Sequence, residues 1–218
     1  MTEKPERTII IGDVHGCLDE LQDLLRVIKV RPSDRLVSVG DLIGKGPDSR
    51  GALEWAMAAP NLRCVLGNHE ARFLEAWRAG RVPSQKPYDQ ATVDSLGADF
   101  DRCMRFVSRW PLLIDEGSWM AVHAGIDPEL PLLAQDAGDL TTIRRLSDGK
   151  TPWYERYQDP RLIVFGHWVR RAAIVRPNAI GLDTGCVYGG VLTALILPER
   201  RLVSVPARRV YFPRERWE

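Results

Sequence analysis

Short apolar runs that stop at a glycine or a histidine constrain this chain more than any other feature. Thr8-Ile-Ile-Ile11 stops at Gly12-Asp13, Arg35-Leu-Val-Ser-Val39 at Gly40-Asp41 and Leu62-Arg-Cys-Val-Leu66 at Gly67-Asn68-His69. Trp119-Met-Ala-Val122 stops at His123, and Leu162-Ile-Val-Phe165 at Gly166-His167. Runs this short and this continuously apolar are the signature of strands covered on both faces. Leu18, Leu21, Leu24, Leu25 and Ile28 recur at helical spacing between the first two runs. Asp48-Ser49 caps a second helix that Pro60 ends near Ala59, and residues 69–79 read as a third. The expected class is α/β. Residues 172–210 alternate short apolar runs with turn residues and read as a β-rich closing section. Residues 80–110 carry Pro83, Pro87 and Gly97, the composition of an irregular or short-helical, cap-like insertion. With no internal repeat and no linker, residues 1–218 read as a single domain.

Composition narrows the function classes. Thirty Lys and Arg against 29 Asp and Glu give a formal charge of +1, so bulk charge does not point to nucleic acid or an anionic membrane. No apolar run approaches the roughly 20 residues that span a bilayer, and the first seven residues lack the apolar core of a signal peptide. The expected location is the cytoplasm. Four cysteines, at 17, 64, 103 and 186, form no CxxC pair and read as reduced thiols.

All four histidines, His15, His69, His123 and His167, follow expected strands directly or within a few residues, as do Asp13, Asp41 and Asn68. Ligand sites of α/β sheets lie off the carboxyl ends of strands, so these side chains can converge from distant parts of the sequence. A set of imidazoles, carboxylates and one amide oxygen suits Mn²⁺, Fe²⁺ or Mg²⁺ better than a thiophilic metal. Seven such groups exceed the needs of one tetrahedral ion, and two metals roughly 3.5–4 Å apart would use them.

Gly12-Asp-Val-His-Gly16, Gly40-Asp41 with Gly46, Gly67-Asn-His-Glu70, His123-Ala-Gly125 and Gly166-His167 resemble the signature blocks of the phosphoprotein-phosphatase branch of calcineurin-like metallophosphoesterases. Gly40-Asp-Leu-Ile-Gly-Lys-Gly-Pro-Asp-Ser49, Val65-Leu-Gly-Asn-His69, Phe165-Gly-His-Trp168 and Leu182-Asp-Thr-Gly-Cys-Val-Tyr-Gly-Gly190 are most similar to its symmetrical bis(5′-nucleosyl)-tetraphosphatases. The resemblance implies a β-sandwich flanked by helices, with a metal site at the strand C-terminal ends. It assigns Asp13, His15 and Asp41 to one metal, and Asp41, Asn68, His123 and His167 to a second. It further implies two divalent ions, Mn²⁺ first, with Fe²⁺, Mg²⁺, Co²⁺ or Zn²⁺ as substitutes. Hydrolysis would proceed by in-line attack of a metal-bridging hydroxide, with His69 as the general acid.

Two departures from the protein-phosphatase pattern bear on substrate. That branch usually carries Asp-Arg where this chain has Gly44-Lys45, and an Arg where it has Leu66. The carboxylate that orients the acid histidine is therefore absent, and Lys45 supplies charge to the substrate without a bidentate fork. A polyphosphate leaving group needs less protonation than an alkoxide, so the expected substrate is a dinucleoside tetraphosphate, cleaved into two nucleoside diphosphates. Related polyphosphates or 5′-capped RNA would fit the same reading. The alternatives are a Ser/Thr protein phosphatase acting on phosphoprotein on the same scaffold, and a catalytically silent metal- or nucleotide-binding module. The family also places a substrate-phosphate arginine near Arg144-Arg145, of which Arg144 is preferred. Asp183 is expected to bond loop amides or to orient a metal ligand, Cys186 to be a buried thiol without nucleophilic work, and Trp168 and Tyr188 to line the pocket. The tail from Arg208 to Trp217 mixes cations with aromatics, suited either to nucleic acid or to packing across the domain. No feature fixes the oligomeric state, and no membrane partner is expected.

Overall fold

A computed structural model describes residues 7–83 and 85–214. Ten strands and six helices run in the order β1 (Thr8–Ile11), α1 (Leu18–Ile28), β2 (Arg35–Ser38), α2 (Ser49–Ala58), β3 (Leu62–Cys64), α3 (Asn68–Arg78), α4 (Asp89–Leu96), α5 (Phe100–Val107), β4 (Leu113–Asp115), β5 (Trp119–Val122), α6 (Ala137–Thr142), β6 (Leu162–Phe165), β7 (Ile174–Val175), β8 (Ala179–Gly181), β9 (Val191–Leu197) and β10 (Arg201–Pro206). They form two five-stranded sheets, ordered β10-β9-β1-β2-β3 and β4-β5-β6-β8-β7. In the first, β1, β2 and β3 are parallel and β9 and β10 antiparallel. In the second, β5, β6 and β8 are parallel and the edges β4 and β7 antiparallel.

Strand alternation explains why the runs are continuously apolar. Successive side chains point to opposite faces, and here both faces are covered. Ile10, Val37 and Val39 from the first sheet meet Ala121, Val164 and Ile180 from the second in a core between the sheets. Ile9, Ile11 and Leu36 face the other way, onto α1, α2, α3 and the helices of residues 89–107. On the far side of the second sheet, Met120, Val122, Ile163 and Phe165 pack against Trp153, Tyr154 and Trp168. The result is a two-sheet sandwich with three apolar layers.

Residues 80–110 take the short-helical form of the two expected. Leu96, Cys103, Met104 and Val107 are buried in the helical core, so α4 and α5 belong to that layer and pack against α2 and α3. The expected helix capped by Asp48 is present, with the Asp48 carboxylate accepting the Gly51 N–H at 2.7 Å. No helix among the described residues is long and apolar enough to cross a membrane. Ile10→Ala, in the core between the sheets, is expected to cost about 2–5 kcal/mol in urea unfolding. Leu202→Ala, on the exposed edge strand β10, is expected to stay within about 0.5 kcal/mol.

Candidate metal centre

Each of the six parallel strands delivers one polar residue to the same rim. Asp13 follows β1, Asp41 follows β2, Asn68 opens α3 after β3, His123 follows β5, His167 follows β6 and Asp183 follows β8. Sequence separations of up to 154 residues collapse here: the His167 amide donates to both oxygens of Asp13, at 3.1 and 3.3 Å. Asp41 sits in the middle. Its carboxylate lies 3.6 Å from His15 Nε2, 3.9 Å from His69 Nε2 and 3.5 Å from His123 Nε2. All of these side chains are nearly or fully buried.

Backbone carbonyls fix the imidazole tautomers. A carbonyl can only accept, so the ring nitrogen facing it must carry the proton. His123 Nδ1–H donates to Val39 O at 2.8 Å, His167 Nε2–H to Thr142 O at 3.1 Å and His15 Nδ1–H to Ile43 O at 3.2 Å. The opposite nitrogen of each ring then presents a lone pair to the site. Asn68 Oδ1 lies 2.9 Å from His123 Nε2 and also 2.9 Å from His167 Nδ1. Three acceptors thus crowd one point with no donor among them, an arrangement that a cation resolves.

The electrostatics agree. Burial lowers the His15 pKa to about 3, with the Lys45 ammonium adding to the effect, and burial with His123 lowers His167 to about 3. Both rings are therefore neutral at pH 7. Burial raises Asp13 well above the usual carboxylate range, and neighbouring Asp183 and Asp41 raise it further. Burial also opposes ionisation of Asp41, but His123, His69 and His15 around it hold its pKa below the ordinary value. Buried carboxylates this close together, with neutral imidazoles between them, form a donor set for divalent metal. The described residues contain two such groupings, His15–Asp41–His69 and Asp13–Asp41–His123, each with ligand atoms within 4.8 Å of one another.

Backbone strain accompanies the convergence. His15, Asp41, Lys45 and His167 all have positive φ, between 49° and 65°, where non-glycine residues are rare. Gly67 allows the close approach that holds Asp41: a Cβ there would lie 2.3 Å from both the Asp41 amide nitrogen and Oδ1. Glu70, unnoticed at the level of residue pattern, clamps the same loop. Its Oε2 accepts the Asp41 N–H at 2.9 Å and its Oε1 the Ile43 N–H at 3.1 Å. The only signal available was its place in Gly67-Asn-His-Glu70.

His69 stands apart from the other histidines. Burial pulls its pKa well below 6.5, against the pull of Asp41, and His15, Lys45 and Arg72 add to the lowering. Its Nδ1 is buried with no hydrogen-bond partner, and a Cβ on Gly44 would lie 2.3 Å from it. Gly44 leaves no space for an orienting side chain. The ring instead stacks on Tyr88, with centroids 5.2 Å apart and planes at 12°, and the Tyr88 hydroxyl lies 3.5 Å from Nε2. Tyr88 comes from the segment at 80–110, outside the signature blocks, and as one aromatic among many it carried no signal that it would contact His69.

The remaining expected residues divide. Lys45 is in the site, its Nζ 3.2 Å from His15 Nε2. Tyr188 and Asp41 raise its pKa despite burial, so it is cationic. Arg144 is exposed in the loop after α6, close enough to His167 for its charge to lower that ring's pKa. Asp183 accepts the Gly185 N–H at 3.1 Å and faces Asp13. Cys186 is buried, and the Cys17 thiol together with burial pushes its pKa up, which excludes a nucleophilic role. Trp168 does not line the pocket: it is 2% exposed, packed on Tyr154, with Arg170 over its ring. Arg72 pairs with Asp89 at 2.6 Å.

Comparison with known proteins places this geometry. The calcineurin-like phosphoesterase family model matches residues 6–190. The symmetrical bis(5′-nucleosyl)-tetraphosphatase of Janthinobacterium sp. (strain Marseille) is 32% identical, over 91% of this chain and 95% of that protein. That of Edwardsiella ictaluri (strain 93-146) is 31% identical, over 93% and 96%. A solved structure provisionally named as a diadenosine tetraphosphatase superposes with a TM-score of 0.82 at 35% identity, covering 95% of this chain and 96% of its own. A Saccharomyces cerevisiae protein serine/threonine phosphatase shares the fold, with a TM-score of 0.64 at 16% identity, over 97% and 83%.

Two predictions follow from the clamp and the tautomers. Glu70→Ala frees both loop amides and is expected to weaken divalent-metal binding about 10- to 100-fold, read by titration calorimetry. A histidine held near 3 when folded and near 6.5 when unfolded leaves extra protons on the unfolded chain between those values, so its contribution to stability grows as pH rises through that window. The metal-free protein should therefore gain stability over His167→Asn from pH 3 to 6.5, by at least about 1.4 kcal/mol, then level off. A flat difference would show that His167 titrates normally.

Proposed function

The chain belongs to the calcineurin-like phosphoesterase family, and from that premise we propose that it is a dinuclear-metal hydrolase that splits dinucleoside tetraphosphates symmetrically into two nucleoside diphosphates. Asp13, His15 and Asp41 would hold one divalent ion, and Asp41, Asn68, His123 and His167 the other, with Mn²⁺ as the expected metal. When bound, the two ions supply an activated water and neutralise phosphoryl charge. The protein's own contribution is positional. Val39, Ile43 and Thr142 carbonyls aim the imidazoles, Glu70 holds the Asp41 loop, and Lys45 offers a buried ammonium to the phosphates.

The observation that carries the choice of substrate is the state of His69. A general acid works best with a pKa near the operating pH and a partner that orients it. Here the pKa is depressed, Nδ1 has no partner, and Gly44 fills the place where an orienting carboxylate would stand. Such a histidine is poorly equipped to protonate an alkoxide leaving a phosphoserine. It suffices for a nucleoside diphosphate, which leaves as a stabilised anion. The naming of the relatives as symmetrical bis(5′-nucleosyl)-tetraphosphatases supports the same substrate class.

Chromatography of products from Mn²⁺-loaded protein given diadenosine tetraphosphate should show ADP alone. AMP with ATP would overturn the symmetry, and turnover of a phosphopeptide above that of the dinucleotide would overturn the substrate class. His69→Asn should lower kcat on the dinucleotide by less than the roughly 100-fold of a well-tuned general acid, and equal rates in the two proteins would remove His69 from the reaction.

A further inference from the structure

Beyond the metal ligands, three aromatic rings from distant parts of the chain meet beside Lys45. Its Nζ lies 5.8 Å from the Tyr88 ring centre and 5.3 Å from that of Tyr188. Phe212 joins the two, edge-on to Tyr88 at 5.4 Å and to Tyr188 at 6.4 Å. All three rings are partly exposed. An ammonium among aromatic rings, at the edge of a phosphate-handling site, pairs the two chemistries that a nucleotide presents: an anionic chain and a planar base.

Phe212 is brought there by a segment that lies past residue 190, where the family model ends. After β10 the chain turns back over α1 and is fastened at several points. The Arg208 amide donates to Glu20 Oε1 at 2.8 Å, and its guanidinium reaches Asp19 and Asp23 at 2.5 and 2.9 Å. The Tyr211 hydroxyl donates to the same Glu20 oxygen at 2.7 Å, and the Tyr211 and Phe212 amides both donate to Val187 O. Glu20 is fully buried, so this is an anchorage into the fold. As far as residue 214 the tail is thus held against the fold, with Tyr211 and Phe212 partly exposed.

We propose that Tyr88, Tyr188 and Phe212 form a binding wall for the nucleoside of a nucleotide whose phosphates sit on Lys45 and the metal centre, and that the tail of residues 207–214 assembles it. This rests on the phosphoanhydride reading of the site and adds where the base is recognised. Tyr88 serves twice, packing against His69 and closing the wall. Substrate selection thus resides in segments outside the metal-binding blocks.

Calorimetric titration of Mn²⁺-loaded protein with ADP and with methyl diphosphate, which keeps the phosphates and lacks the nucleoside, separates the wall from the phosphate site. Phe212→Leu keeps apolar bulk without the ring and should weaken ADP about tenfold, with methyl diphosphate unchanged within about twofold. Tyr211→Phe, which removes only the Tyr211 hydrogen bond to Glu20, should weaken ADP by a smaller factor in the same selective way, and thermal melting checks that both variants are folded. Equal loss for both ligands, or unchanged ADP affinity in both variants, overturns the proposal. These affinities are read whether or not diadenosine tetraphosphate is turned over, so a failure of the substrate reading shows separately, in the wild-type product analysis.

Discussion

The crowding of acceptors around Asp41 and Asn68 is the constraint on which the rest of this structure depends. Two histidine nitrogens face one amide oxygen at 2.9 Å, and three buried histidine rings lie within 4 Å of one buried carboxylate. In water such groups would be solvated, and in a dry interior their mutual repulsion is costly. The fold can hold them because most are fixed from behind by a backbone group. Val39, Ile43 and Thr142 carbonyls take the outer N–H of the rings, and the amides of His69 and His167 donate to Asp41 and Asp13. Divalent cations would complete what the protein leaves unpaired.

That arrangement has an internal cost. His15, Asp41, Lys45 and His167 occupy left-handed backbone conformations, each of order 1 kcal/mol unfavourable for a non-glycine residue. Against a net stability of about 5–15 kcal/mol for a domain, four such residues are a substantial burden. The three apolar layers carry it. Strands buried on both faces leave the rim loops little freedom, and Glu70 ties the β2 loop to α3 through two hydrogen bonds. The rigidity of the sandwich and the strain of the rim are parts of one design.

The differences from protein phosphatases lie at the margins of that rim. Gly44 packs directly against His69, so the absence of an orienting carboxylate is a matter of space as well as of sequence. Tyr88 takes over the contact with the ring, and the tail places Phe212 against Tyr88. One chain of contacts therefore links His69, the ring that stacks on it and the wall proposed for the nucleoside. In the proposed reading the metal-binding rim sets the class of reaction, and these neighbours adapt it to a leaving group that needs little help.

Much of this was legible in the residues alone. Continuous apolar runs ending at Gly-Asp, Gly-Asn-His or Gly-His reveal both the α/β class and the polar groups at the strand ends, because period-two alternation and a glycine stop are local properties. Asp13, His15, Asp41, Asn68, His123 and His167 could be singled out on that basis, and the structure brings them to one rim. Tertiary structure alone decided what depends on groups far apart in sequence: the pairing of strands into two sheets, the carbonyls that set each tautomer, and the Glu70 clamp. It also decided that Trp168 is core, that Tyr88 supports His69 and that the tail folds back on Glu20. A sequence records which donors and acceptors exist, but their partners are chosen by packing, and packing is a property of the whole chain.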